Sequence, residues 1–272
     1  MDLHDRITAY ARESAAQKPY RSPGKTQRQQ LAQGVGHLLD GDFGKAERVL
    51  GDIGLRVTRL TDAATGKRYD EVAAREPGTK DRWGRLYLHA DTGIRWSVQV
   101  PHPVADRHTE SLGAKLLEGT PGGALVVAGA HRDAGRGDSA DVAHREDSAF
   151  HAIVAALQKR GIPGAQLHGF AAKPDRPYDA VLSTGAARIA PGEVTALADR
   201  MENRGLRVCR GWADRCPLEG ITNVQGESAE RRGVTFLHVE LAPGLRRDGT
   251  RAAAETRSDL SRLLEAWSAT GR

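Results

Sequence analysis

Residues 96–110 read WSVQVPHPVADRHTE, and this stretch decides how the rest of the chain is interpreted. Its first five residues alternate between apolar and polar side chains, which is typical of a short β-strand. The strand runs directly into His102, which stands between two prolines that restrict its backbone. Asp106 follows four residues later and Glu110 four residues after that, so a helix beginning near Asp106 would place both carboxylates on one face. The stretch therefore predicts a strand whose carboxyl end carries an imidazole with an acid close behind it.

Imidazole and carboxylate groups recur where other predicted strands end. Three further apolar runs end on or near His131, His168 and Glu240. In open α/β sheets, ligands bind at the carboxyl ends of the strands. Imidazole and carboxylate are also ligands of catalytic zinc sites. This placement predicts a metal-dependent hydrolase.

From residue 96 onwards, predicted strands alternate with predicted helices. The strands are at 96–100, 124–128, 165–168, 179–183, 206–209 and 234–240, and the helices are at about 107–118, 148–160, 191–204 and 254–268. This alternation favours an α/β fold, with a mostly parallel or mixed sheet flanked by helices. The earlier part of the chain predicts helices up to about residue 50 and then a hairpin of 55–60 with 68–72. We therefore expect an N-terminal α+β lead-in over 1–95, packed on the main sheet, and an α/β catalytic domain over 96–272.

The composition is that of a globular protein, with 39% hydrophobic and 28% charged residues. No apolar run approaches the roughly 20 residues that cross a bilayer, and the first residues, MDLHDR, lack the apolar stretch of a secretory signal. We expect a cytoplasmic protein, although a secreted protein without its signal would look the same. The net charge of +5 comes mainly from scattered arginines, without a basic block interleaved with aromatics. We expect a small-molecule or peptide-like substrate, no nucleic acid, no membrane partner, and a monomer or a homodimer.

The candidate site residues also have structural interpretations. Acids at Asp106 and Glu110 suit the first turn of a helix, and His168 could be a buried ring bonded to a backbone carbonyl. A carboxylate at the end of a buried strand is costly unless it is paired or used, so Glu240 is predicted either as a general base and acid or as the partner of Arg246 or Arg247.

Residues 140–151, ADVAHREDSAFH, combine acids and histidines just before a predicted helix. Asp147 or Ser148 is the expected N-cap. His144 lies in the preceding loop, where functional residues are frequent. A metal-free enzyme that uses His144 and Asp147 as an acid–base pair is therefore a further hypothesis.

The chain has two cysteines, Cys209 and Cys216. Their spacing matches neither a zinc ribbon nor a thioredoxin motif. They are either free thiols or one short-loop disulfide.

The order of these motifs resembles the zinc-dependent poly-γ-glutamate hydrolases of phage type, whose fold is similar to that of zinc carboxypeptidases. The matching pieces lie at 102–110, 167–170, 220–223 and 239–246, within about residues 96–247. The resemblance implies a Zn²⁺ cofactor held by His102, His168 and Asp106, with Glu110 as the alternative carboxylate ligand. It implies a zinc-dependent amidohydrolase or peptidase-like hydrolase that cleaves an amide bond. The net positive charge favours an anionic substrate.

The remaining site residues follow from the same motifs. Catalytic roles are predicted for Glu240, Arg132 and His144, with Arg132 able to bind a carboxylate or to stabilise an oxyanion. The predicted substrate-binding residues are His131, Arg145, Asn223 and Arg246. The chain departs from the family at Pro103-Val104, where the family has Gly-Gly, and at Asp106, which is shorter than the family's glutamate and one position closer to the histidine. These departures motivate an alternative: a non-catalytic ligand-binding protein on the same fold with a degraded metal site.

Overall fold

The computed structural model describes residues 1–16, 20–76, 82–173 and 177–270. These residues form a nine-stranded mixed sheet with helices on both faces, which confirms the predicted α/β class. The helices are α1 (Leu3–Ala16), α2 (Lys25–Leu39), α3 (Phe43–Asp52), α4 (Thr109–Gly119), α5 (Ala149–Gln158), α6 (Gly192–Asn203), α7 (Val224–Arg232), α8 (Pro243–Arg246) and α9 (Arg251–Thr270). Within the described ranges, none of them combines the length and the apolar composition that crossing a bilayer requires.

The strands are β1 (Leu55–Thr61), β2 (Arg68–Ala74), β3 (Arg85–His89), β4 (Trp96–Val100), β5 (Gly123–Val127), β6 (Gly164–Gly169), β7 (Ala180–Ser183), β8 (Val208–Arg210) and β9 (Phe236–Leu241). They are ordered β1-β2-β3-β5-β4-β6-β9-β7-β8. The pairs β4–β5, β4–β6, β6–β9 and β7–β8 are parallel, and the other neighbours are antiparallel. The predicted hairpin is β1–β2, and the pairing of β3 with β5 joins it to the same sheet as the later strands.

The central strands bury both faces, but the two faces differ in chemistry. Val98, Leu167 and Val239 belong to the apolar core formed with α1, α4, α6 and α9. Because side chains alternate along a strand, the intervening Gln166 and His238 project from the opposite face, towards α5 and α7. Both are buried. The carboxyl ends of the parallel strands therefore lie above a buried polar layer rather than an apolar one.

The structure corrects the predicted start of one helix and decides the state of the two cysteines. Helix α4 begins at Thr109 rather than near residue 107, because His108 has a φ of 71°, a left-handed conformation that cannot continue a helix. Strand β8 is only three residues long, and Cys209 within it forms a disulfide with Cys216. The two cysteines therefore form a short-loop disulfide and are not free thiols.

Candidate metal centre and active site

The segment after β4 folds into a tight turn that brings an acid back onto the first histidine. The Asp106 backbone N–H donates to the carbonyl of His102 at 2.9 Å. This closure places Asp106 Oδ2 3.3 Å from His102 Nδ1. The predicted helical face shared by Asp106 and Glu110 is wrong, because Asp106 precedes α4. Glu110 Oε2 instead lies 3.5 Å from the backbone nitrogen of Val104.

His168, near the end of β6, approaches the same carboxylate from the neighbouring strand. Its Nδ1 lies 3.2 Å from Asp106 Oδ2. One ligand atom from each of His102, Asp106 and His168 lies within 4.8 Å of the other two. All three residues are buried, with exposed fractions of 2%, 8% and 4%. Side chains that are 62 residues apart in the chain thus converge on one point.

The donor set and its spacing fit a zinc ion. Zinc binds imidazole nitrogen and carboxylate oxygen at about 2.0–2.2 Å, and catalytic sites use three protein ligands with a fourth position open. Tetrahedral bonds of that length place neighbouring donor atoms roughly 3.3–3.5 Å apart. The distances from Asp106 Oδ2 to His102 Nδ1 and His168 Nδ1 are 3.3 and 3.2 Å. Two imidazoles and one carboxylate are therefore already close to coordination spacing.

The protonation states of Asp106 and His168 suit a cation. Burial alone would lower the pKa of His102, but hydrogen bonds with Asp106 and Asp141 raise it. Burial alone would raise the pKa of Asp106, but hydrogen bonds with His102 and His168 hold it well below its usual range. Burial lowers the pKa of His168 to about 4. Near neutral pH, Asp106 is therefore charged and His168 is neutral, and these are the forms that bind metals.

Asp141 contacts the cluster, and the sequence analysis missed it. Its Oδ1 lies 2.7 Å from His102 Nε2, and its Oδ2 accepts a hydrogen bond from Arg132 Nη2 at 2.6 Å. Burial alone would raise the pKa of Asp141, but the hydrogen bond with His102 lowers it to about 2. An ionised carboxylate can only accept, so Asp141 holds a proton on His102 Nε2, and Nδ1, which faces Asp106, is the nitrogen available to a cation.

Glu240 is placed beside the cluster by strand register. It pairs with His168 across the parallel strands β9 and β6, so both side chains project from one face. Its Oε1 lies 3.6 Å from His238 Nε2. Its Oε2 is buried without a hydrogen-bond partner among the described residues. An unused buried carboxylate oxygen beside the three ligands is costly unless it has a task there.

The ion pair of Glu240 with Arg246, predicted as the alternative, is not formed. The buried Arg246 guanidinium donates instead to the backbone carbonyls of Leu241, Phe170 and Arg107. The substrate contact of Arg246 stays a prediction.

Asn223 also has a structural role, and its substrate contact stays a prediction. It is buried, and its Oδ1 accepts the backbone N–H groups of Gln225 and Gly226 at the start of α7. Its Nδ2 donates to Gln166. The side chain is therefore occupied by the fold itself.

The other predicted residues lie near or outside the cluster. Arg132 is 39% exposed, and its Nη1 lies 3.5 Å from His102 Nδ1. His144 Nδ1 lies 3.3 Å from the carbonyl of Thr222. Arg145 forms two 3.0 Å hydrogen bonds with Asp147, so the predicted pair of His144 with Asp147 is not formed.

His131 is the last of the predicted substrate-binding residues. It is partly exposed, and its Nδ1 lies 3.6 Å from Asp133 Oδ2. No bond ties it to the three ligands in the described part of the chain, so its role stays a prediction.

No protein-family profile and no curated protein sequence match this chain. Among solved structures, a gene product of Agrobacterium tumefaciens is 16% identical, with 64% of this chain and 89% of that one covered and a TM-score of 0.42. A zinc-free form of YndL is 14% identical, with 68% and 89% covered and a TM-score of 0.40. A metallo-carboxypeptidase from Burkholderia cenocepacia is 13% identical, with 84% and 69% covered and a TM-score of 0.41. None of these likenesses identifies an activity for this chain.

Proposed function

We propose that this protein is a zinc-dependent hydrolase that cleaves an amide bond in a small or peptide-like, anionic substrate. The supporting observation is the approach of His102 Nδ1 and His168 Nδ1 to one oxygen of Asp106, at 3.3 and 3.2 Å. A buried ionised carboxylate that faces two imidazoles in this way is a ligand set for a divalent cation. Asp106 is the carboxylate ligand in this proposal, and Glu110 is not.

The chemistry follows from the groups around that point. A zinc ion bound there supplies Lewis acidity, which polarises a substrate carbonyl and lowers the pKa of a water. Glu240 accepts the proton of the attacking water at its unpartnered Oε2 and then returns it to the leaving amine nitrogen. Arg132, held by Asp141, donates to the carbonyl oxygen as negative charge develops on it.

The anionic character of the substrate is supported by the partly exposed guanidinium of Arg132 next to the cluster. The Arg132 side chain is 39% exposed, and His144 lies in the segment that follows Asp141. A guanidinium that is partly free to solvent can bind a second carboxylate through parallel hydrogen bonds. N-acyl amino acids and glutamyl peptides are therefore the substrate class to test first.

The proposal is tested by metal content and by hydrolysis. Purified protein is analysed for zinc and then assayed on a panel of N-acyl amino acids and α- and γ-linked glutamyl dipeptides. We expect about one zinc per chain, loss of hydrolysis after chelation, and recovery with added zinc. Protein without bound zinc that keeps its full stability and its activity in chelator would contradict the proposal.

A ligand-binding protein without turnover is the second candidate, and the burial of the cluster favours it. His102 and His168 are only 2% and 4% exposed. This candidate predicts zinc binding and affinity for the same panel with no product formed from any member.

A further inference from the structure

Gln166 is a buried amide with every hydrogen-bonding position used. It lies two residues before His168 on β6, on the same face of the sheet. Its Oε1 faces His168 Nε2 at 2.8 Å and accepts a hydrogen bond from Asn223 Nδ2. Its Nε2 donates to Gln99 Oε1 and Gln225 Oε1, both at 3.1 Å. Because an amide can be turned by 180°, neighbours that cannot turn must decide which end faces His168.

The first such neighbour is the backbone at the start of α7. The N–H groups of Gln225 and Gly226 donate to Asn223 Oδ1 at 3.0 and 3.1 Å. A backbone N–H can only donate, so the oxygen of Asn223 faces the helix and its nitrogen faces Gln166. Gln166 must therefore present its oxygen to Asn223, and the same oxygen lies opposite His168.

The second neighbour is the backbone carbonyl of Val142, which can only accept. Gln225 Nε2 donates to it at 2.9 Å, which turns Gln225 Oε1 towards Gln166. Gln166 must therefore donate to it from its amide nitrogen, so the oxygen of Gln166 again points towards His168. Two independent backbone anchors thus require the same orientation of one amide.

We infer that Gln166 is a positioning residue: it keeps a proton on His168 Nε2, so that Nδ1, which faces Asp106, is the nitrogen left for a cation. As far as zinc is concerned, the inference rests on the proposed function. Asp141 holds the proton of His102 on Nε2 in the same way. Because Gln225 is bonded to Val142, the residue after Asp141, one buried amide network links the supports of both imidazoles.

The variant Asn223→Asp tests this chain of orientations. Aspartate caps a helix about as well as asparagine, so α7 keeps its cap. The donor to Gln166 is replaced by an acceptor, which favours the turned amide, and the turned amide donates to His168 Nε2 and displaces the proton there. Nitrogen-15 NMR of the histidine rings in zinc-free protein shows whether Nε2 carries a proton. Competition with a chromophoric chelator gives the zinc affinity. The exposed Asn203→Asp, at the end of α6, is the matched control for the added charge.

For the wild type and N203D we expect His168 protonated on Nε2. For N223D we expect loss of the proton on His168 Nε2 and a 10- to 100-fold weaker zinc affinity, the usual effect of losing an outer hydrogen-bond partner of a ligand. A wild-type His168 without a proton on Nε2 would overturn the inference. An N223D protein with both tautomer and zinc affinity unchanged would also overturn it.

A second variant covers the case in which N223D does not fold. Gln166→Glu, kept neutral by its burial, offers an oxygen to Asn223 and His168 and its O–H to Gln225. It should keep the proton on His168 Nε2 and bind zinc within a few-fold of the wild type. A Q166E protein without a proton on Nε2 would overturn the inference. Failure of the wild type to bind zinc would contradict the proposed function alone, and the tautomer measurement would still decide the role of Gln166.

Discussion

Glu240 lies directly opposite His168 in the parallel pairing of β9 with β6. The register puts a buried carboxylate and a buried imidazole on one face of the sheet, on strands about 4.8 Å apart. His168 in turn contacts Asp106, which also contacts His102. Glu240, with its unpartnered Oε2, therefore lies beside the cluster of His102, Asp106 and His168. The first prediction depends on this placement of Glu240.

Replacing Glu240 with Gln should abolish turnover while zinc stays bound. Gln cannot take a proton from water, so we expect a loss of at least 100-fold in kcat, within the usual range for a general base. Zinc affinity should change by no more than a few-fold. The measurement is hydrolysis of the best substrate of the panel, with the exposed Glu230→Gln on α7 as the matched control. Wild-type turnover in E240Q would exclude Glu240 as the base.

Replacing Asp141 with Asn should weaken zinc binding by 10- to 100-fold. The charged acceptor that orients His102 is lost, as is the partner of Arg132. Zinc affinity is measured by chelator competition, with Asp138→Asn as the control, because Asp138 is exposed in the same loop. Equal affinities of D141N and the wild type would mean that Asp141 does not support the ligand.

Val104 should be a site of backbone strain next to the first ligand. Its φ is 68°, which is unfavourable for a β-branched residue and costs of order 1–3 kcal/mol. Glycine at this position removes the strain but adds about 0.5–1 kcal/mol of unfolded-state entropy. We therefore expect Val104→Gly to raise the free energy of unfolding by about 1 kcal/mol in urea titrations. Val104→Ala removes the same methyl groups without freeing the backbone, and it should not stabilise. A less stable V104G would contradict this interpretation.

His89 should make the fold sensitive to acid, independently of the metal centre. Burial lowers the pKa of His89 to about 4, and its Nδ1 accepts the backbone N–H of Gly123. The unfolded chain, with a histidine pKa near ~6.5, binds more protons between these values. Stability is therefore full above about pH 6.5 and falls as the pH drops towards 4, by roughly 2–3 kcal/mol at pH 4.5.

The measurement is urea unfolding at pH 7.5 and pH 4.5 in chelator, which removes any contribution from zinc. His89→Gln keeps an acceptor for Gly123 but does not titrate, so its loss between the two pH values should be smaller by roughly 2–3 kcal/mol. His37→Gln, near the end of α2, is the control. A pH dependence of H89Q equal to that of the wild type would show that His89 does not carry this sensitivity.

The sequence predicted the fold class and the convergence of His102, Asp106 and His168, because each lies at or just after a strand end and parallel strands bring their carboxyl ends to one edge. It could not predict Asp141, because that contact joins two loops 39 residues apart. It could not show that Asn223 and Arg246 form hydrogen bonds with backbone groups, because a polar side chain in a loop or a short helix gives no sign of such partners. It also did not reveal the buried amide layer, because alternating polar residues such as Gln166 look the same on a buried face as on an exposed one.

The central claim is that one zinc ion lies between the two imidazoles and the carboxylate. Diffraction data collected above and below the zinc absorption edge, from crystals grown with zinc, test it most directly. We predict an anomalous difference peak within bonding distance of His102 Nδ1, Asp106 and His168 Nδ1. A map with no peak there, or with zinc only at other side chains, would contradict the account.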